Sequence, residues 1–161
     1  MWRSTGGRAR VVAGSTMHEL LSQRLFSEQV KHLTPRLAQS RGWVLHQVSY
    51  PILDCEFQAE GRAPLRLRFN CQNWNTQPPS IDLLDSTGAY LHQLPGVLPT
   101  VFNTSAHPTT GRPFICMRGS LEYHTHTSHL SDHWESLRTS GDYTLGGILT
   151  QLWYAWQNGQ R

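Results

Sequence analysis

The chain has 161 residues, with 14 basic and 11 acidic side chains and a 38% hydrophobic share that includes six tryptophans. This is enough apolar material for one domain around a single core, and it excludes a wholly disordered chain. No apolar run approaches the roughly 20 residues that cross a bilayer. The formal charge of +3 is scattered outside Arg3, Arg8 and Arg10, so neither a membrane nor nucleic acid is expected as a partner.

Residues 1–14 are rich in Gly and Arg and read as a mobile basic arm, with 15–161 as a single domain. The first residues lack the apolar stretch and small-residue cleavage site of a secretory signal, and a cytoplasmic location is expected. Thr16-Met17-His18-Glu19 has the form of a capping box, so a helix is predicted to start there, with Met17, Leu20, Leu21 and Leu25 on its apolar face. Pro35 after Thr34 predicts a second helical start, since proline is favoured at the first position.

From Trp43 the period changes to two. Trp43 to Tyr50, Ile52 to Ala59, Leu65 to Phe69 and Ser80 to Leu84 are predicted strands, the third being the most regular. Residues 86–113 are rich in Gly, Pro, Ser and Thr, and a loop of that length in a small domain is usually functional. Asp142 or Thr144 can cap a final helix whose inward stripe is Leu145, Ile148, Leu149, Leu152 and Trp156. Helix, hairpin-connected strands and helix again predict an α+β domain with an antiparallel meander.

Cys55, Cys71 and Cys116 form no CxxC pair, so each is a core thiol or a functional one. Lys31 is the sole lysine; an Arg-biased composition accounts for this, and the alternative is that a protein carrying an activated acyl group gains from having few amines of its own to modify. The chemistry concentrates in residues 114–129. If residues 121–127 are extended, Glu122, His124 and His126 point to one side, near Cys116. Two chemistries are then open. Cys116 can act as a nucleophile with His124 or His126 as base and Glu122 orienting one of them. Alternatively, Cys116, Glu122, His124 and His126 can serve as a tetrahedral Zn²⁺ set. His129, Asp132 and His133 extend the cluster. A polar surface loop beside a core cysteine is the bland alternative.

The order of these features resembles the ubiquitin-conjugating enzymes. The landmarks are the Thr16–Gly42 helical region, four strands, Pro78-Pro79, His107-Pro108-Thr109, Gly111, Ile115-Cys116-Met117, Trp134 and the last helix. The resemblance implies a ubiquitin-conjugating fold with no cofactor, in which Cys116 accepts a ubiquitin-like modifier protein as a thioester and passes it to an amine. It implies that His107 and Pro108 shape the loop beside the thiol. It also implies that an activating enzyme docks on the N-terminal helix. Thr109 stands where that family has an oxyanion-supporting Asn, and Asn103 or one of the histidines is a possible substitute. The Cys116, Glu122, His124, His126 pattern is also similar to a bacterial family of the C-E-H-H type, described as a predicted metal-binding domain. Its genes accompany those for ubiquitin-like conjugation in antiphage operons. An inactive adaptor that keeps the fold for binding is a third reading.

Overall fold

The computed structural model describes residues 13–159, with side chains from His18 onward. Helix α1 (Ala13–Val30) already includes Ala13 and Gly14, the last two residues of the expected arm; residues 1–12 lie outside the described part. Thr16 therefore lies within the helix and not at its start. The expected apolar face holds only in part: Leu25 packs against the core, Leu20 and Leu21 are 58% and 62% exposed, and the side chain of Met17 lies outside the described part. Ser22 and Phe26, one turn apart, join Leu25 on the inward stripe. Phe26 meets the Tyr50 ring edge-on at 5.7 Å, and the Gln29 side-chain oxygen accepts the Leu145 N–H.

Helix α2 (Pro35–Arg41) follows the expected chemistry. The Thr34 hydroxyl accepts from Leu37 N–H, Pro35 opens the first turn, and Gly42 ends the helix at φ +70°. Only glycine suits Gly42, since a Cβ there would lie 2.5 Å from the Gln58 carbonyl oxygen.

Strands β1 (Trp43–Ser49), β2 (Ile52–Phe57), β3 (Leu65–Asn70) and β4 (Ser80–Leu84) form an antiparallel sheet in chain order. Alternation sends Leu53, Cys55, Phe57, Leu65, Leu67, Phe69, Ile81 and Leu83 into the core. There they meet Leu145, Ile148, Leu149, Leu152 and Trp156 of the last helix, with the Phe57 and Trp156 rings 5.7 Å apart. Each fully buried side chain of this size contributes roughly 1.5–3 kcal/mol of transfer free energy. The opposite face carries ions. Asp54 accepts two hydrogen bonds of 2.8 Å from Arg66 and one of 3.2 Å from Arg68.

Strand β4 is one of the sheet's two edges, whose outward backbone groups need partners. Leu91 N–H donates to the Leu83 carbonyl, Leu121 N–H to that of Pro79, and Ile81 N–H to the Glu122 carboxylate. The long connection that follows contains a two-residue pair, β5 (Phe102–Asn103) with β6 (Phe114–Ile115). After β6 come α3 (Leu121–Thr125), three short 3₁₀ turns and α4 (Leu145–Gln157), capped by the Thr144 hydroxyl. The architecture is thus α+β, with an N-terminal helix, a four-stranded antiparallel sheet and a C-terminal helix. Among the described residues no helix is long and apolar enough to cross a membrane.

Candidate functional site

The three cysteines differ sharply. Cys55 and Cys71 are sealed in the core, where burial pushes both thiols far up. Cys116 is half-buried at the exit of β6, and its N–H is held by the Val101 carbonyl at 2.6 Å. Its Sγ lies 3.7 Å from Nε2 of His129, within reach of a sulfur hydrogen bond.

The expected extended run over 121–127 is instead helical. The Ser120 hydroxyl accepts from Tyr123 N–H, Glu122 sits in the first turn, and α3 runs from Leu121 to Thr125. A helical turn spreads residues 122, 124 and 126 around an axis, so they do not share one side. Glu122 points to the edge of β4, taking hydrogen bonds from Ser80 Oγ at 2.6 Å and Ile81 N–H at 3.1 Å. Burial pushes its carboxyl above the ordinary range, against those bonds.

His124 spans two segments. Its Nδ1 donates to the Asp132 carbonyl at 2.9 Å, and its Nε2 accepts from Gly119 N–H at 3.1 Å. Those partners place the donor at Nδ1 and the acceptor at Nε2. His126 stacks on Phe114 at 5.7 Å, and its Nδ1 accepts from Ser128 N–H. The imidazole that meets the thiol is therefore His129, three residues beyond the motif that drew attention to 122, 124 and 126. Tyr123 lies face to face with His129, centroids 4.0 Å apart and planes 14° from parallel. The Tyr123 hydroxyl donates to Asp132 Oδ2 at 2.7 Å, and Arg118 Nε donates to the same oxygen at 2.7 Å.

His107 is a loop-building residue in this structure. It is buried, its Nε2–H donates to the Glu122 carbonyl at 3.0 Å, and its Nδ1 accepts from Thr109 N–H at 3.1 Å. His107 N–H also donates to the Arg112 carbonyl and Gly111 N–H to that of His107, closing the turn 107–112. Thr109 lines a recess with Ser80, His107, Glu122 and Thr125, on the β4 side of α3. Asn103 pairs with Phe114 across β5 and β6, and its side-chain oxygen accepts from Ser105 N–H.

The four residues of the zinc reading do not fit a common ion. Glu122 is bound to the sheet edge and both His124 nitrogens are engaged elsewhere. Among the described residues no group of three or more His, Cys, Asp or Glu side chains is placed to hold a metal ion.

Residues 86–158 match the model of the Y4jH-like family, described as the Y4jH family. The matched segment takes in Cys116, α3, His129, Asp132 and α4, and it leaves out the four-stranded sheet. No curated protein matches the chain.

Proposed function

We propose that this chain is an acyl carrier of the ubiquitin-conjugating type, accepting the C-terminus of a ubiquitin-like protein as a thioester on Cys116. The observation that carries the reading is the single half-open thiol with an imidazole nitrogen 3.7 Å from its sulfur, while the other two cysteines are sealed. The order of elements supports the same reading, with an N-terminal helix and an antiparallel four-strand sheet before the His-Pro turn, the cysteine and a closing helix.

His129 Nε2 takes the Cys116 proton, and the resulting thiolate attacks the activated carbonyl carbon of the modifier. A thioester C–S bond forms as the activating enzyme's own sulfur leaves. A target amine then attacks the thioester carbonyl, the C–S bond breaks, and an amide remains. This assigns the basic role to His129 in place of His124 and His126. Leu20 and Leu21, exposed on α1, are an apolar pair on the helix expected to receive the activating enzyme.

Incubation with a cognate modifier, its activating enzyme and ATP should give an adduct that reductant removes. The adduct should vanish in Cys116→Ala and form more slowly in His129→Ala. A wild-type protein that forms no adduct with a competent modifier and activating enzyme, or an adduct that persists in Cys116→Ala, would count against the proposal.

A further inference from the structure

In most thiol–imidazole pairs a third polar group fixes the base by a hydrogen bond to its other nitrogen. Here the ring face of Tyr123 lies under His129 instead, at 4.0 Å. One residue ties that ring to the rest of the site. Asp132 takes the Tyr123 hydroxyl and Arg118 Nε on the same carboxylate oxygen. Its carbonyl takes His124 Nδ1–H, and its N–H donates to the His129 carbonyl at 3.0 Å.

These bonds link two separate stretches of chain. Arg118 and Gly119 belong to the turn that leaves Cys116, whereas His129 and Asp132 belong to the segment after α3. One bridge runs from Arg118 to the Asp132 carboxylate. The second runs from Gly119 N–H through the His124 ring to the Asp132 carbonyl. Sulfur and imidazole therefore sit on segments joined at Asp132 as well as through α3.

We infer that Asp132 is the positioning residue for the Cys116–His129 pair, acting through the Tyr123 ring and the two bridges to the cysteine turn. The inference rests on the reading of Cys116 as a nucleophile, but not on the identity of what it attacks. The hydrogen bond from Tyr123, and then that from Arg118, hold the Asp132 carboxyl below the usual carboxylate range, so it is an anion at neutral pH.

Alkylation of the full chain by iodoacetamide at neutral pH, followed by intact mass, tests this without a modifier protein. The Cys116 thiolate displaces iodide from the methylene carbon, and the thiol proton goes to His129 and then to water. His129→Ala should slow Cys116 alkylation about tenfold, because an unassisted thiol is already a few per cent thiolate at pH 7. Asp132→Asn and Tyr123→Ala should each slow it by at least about threefold, and neither should slow it further in the His129→Ala background, as residues acting through one group are non-additive. Tyr123→Phe, which keeps the stacked ring and loses only the hydroxyl, should fall between wild type and Tyr123→Ala. It serves as the decisive variant if Asp132→Asn does not fold.

Wild-type alkylation rates in Asp132→Asn, or in both Tyr123 variants, overturn the inference. So does a further loss when Asp132→Asn is added to His129→Ala. Coupled alkylation in a protein that forms no modifier adduct would refute the acyl-carrier reading and leave the positioning role standing.

Discussion

Glu122 provides a sharp test, because a metal ligand, a catalytic group and a scaffold carboxyl would respond differently to substitution. Glu122→Ala would leave the buried Ile81 N–H without an acceptor and the half-buried Ser80 hydroxyl without its 2.6 Å partner. An unmade buried donor costs about 1–3 kcal/mol, and Ser80 can turn partly to water, so the expected loss is about 2–4 kcal/mol. Glu122→Gln keeps a carbonyl oxygen for Ile81 and removes the buried charge, so at pH 7 it should lie within about 1 kcal/mol of wild type. The pH dependence has a definite sign. The folded-state pKa lies above the usual 4.5, so below that value the group is protonated in both states and has no differential effect on the two proteins. As pH rises the unfolded chain ionises first, and wild type loses stability until the pH passes the raised folded value. Denaturant unfolding across this window should show Glu122→Gln gaining steadily on wild type. Parallel curves, or a Gln variant as unstable as the Ala variant, would refute the assignment of Glu122 to the sheet edge.

Three other outcomes follow from the same geometry. Gly119 stands at φ +96°, and a Cβ there would lie 3.1 Å from both Ile148 and Tyr143. Gly119→Ala should therefore destabilise by about 2 kcal/mol in chemical denaturation, with the left-handed backbone alone costing roughly 1–2. For Asp54, burial pushes the carboxyl up, but the hydrogen bonds and charges of Arg66 and Arg68 outweigh it and hold the pKa below 3.8. That contribution is present above the unfolded value and is lost as pH falls through the depressed folded one. Acid unfolding should consequently begin at higher pH in Asp54→Asn, which should also lose about 3 kcal/mol at pH 7. Finally, prolonged treatment with a zinc chelator should leave the unfolding midpoint unchanged, since two of the four proposed ligands, Glu122 and His124, are committed to protein partners; a shifted midpoint would restore the metal reading.

How much could be read in advance varied with how local the determinant was. The four strands, the Thr34-Pro35 start, the Thr144 cap and the α4 stripe were legible because each depends on residues close in sequence. Helix α1 misled because its leucines satisfy a helical period on two faces, and only the position of Phe26 against Tyr50 selects between them. At the site, the alternation of Glu122, His124 and His126 imitated a strand. The contrary signal was present: Gly119-Ser120 followed by a first-turn carboxylate is an N-terminal helix pattern, and Ser120 does cap α3. Reading that cap would have placed 122 and 124 on different sides. It would not have found His129, because its approach to Cys116 depends on the fold of 126–132 around Asp132, a tertiary arrangement that spacing does not encode.

Helix α3 is too short to be stable alone, so its position must come from what it touches. On one side Leu121 N–H and the Glu122 carboxyl fasten it to β4, while its Glu122 carbonyl receives His107 from the turn 107–112. On the other side Tyr123 carries the His129 ring and His124 holds Gly119 in the turn leaving Cys116. A displacement at the sheet edge should thereby reach the sulfur and the imidazole through Tyr123 and His124. Loss of Glu122 should thus lower the reactivity of Cys116 although no Glu122 atom need approach the thiol. Loss of His129 should lower it at a cost of only about 1 kcal/mol, the value of its stack on Tyr123, and the contrast with the larger loss in Glu122→Ala separates scaffold from chemistry.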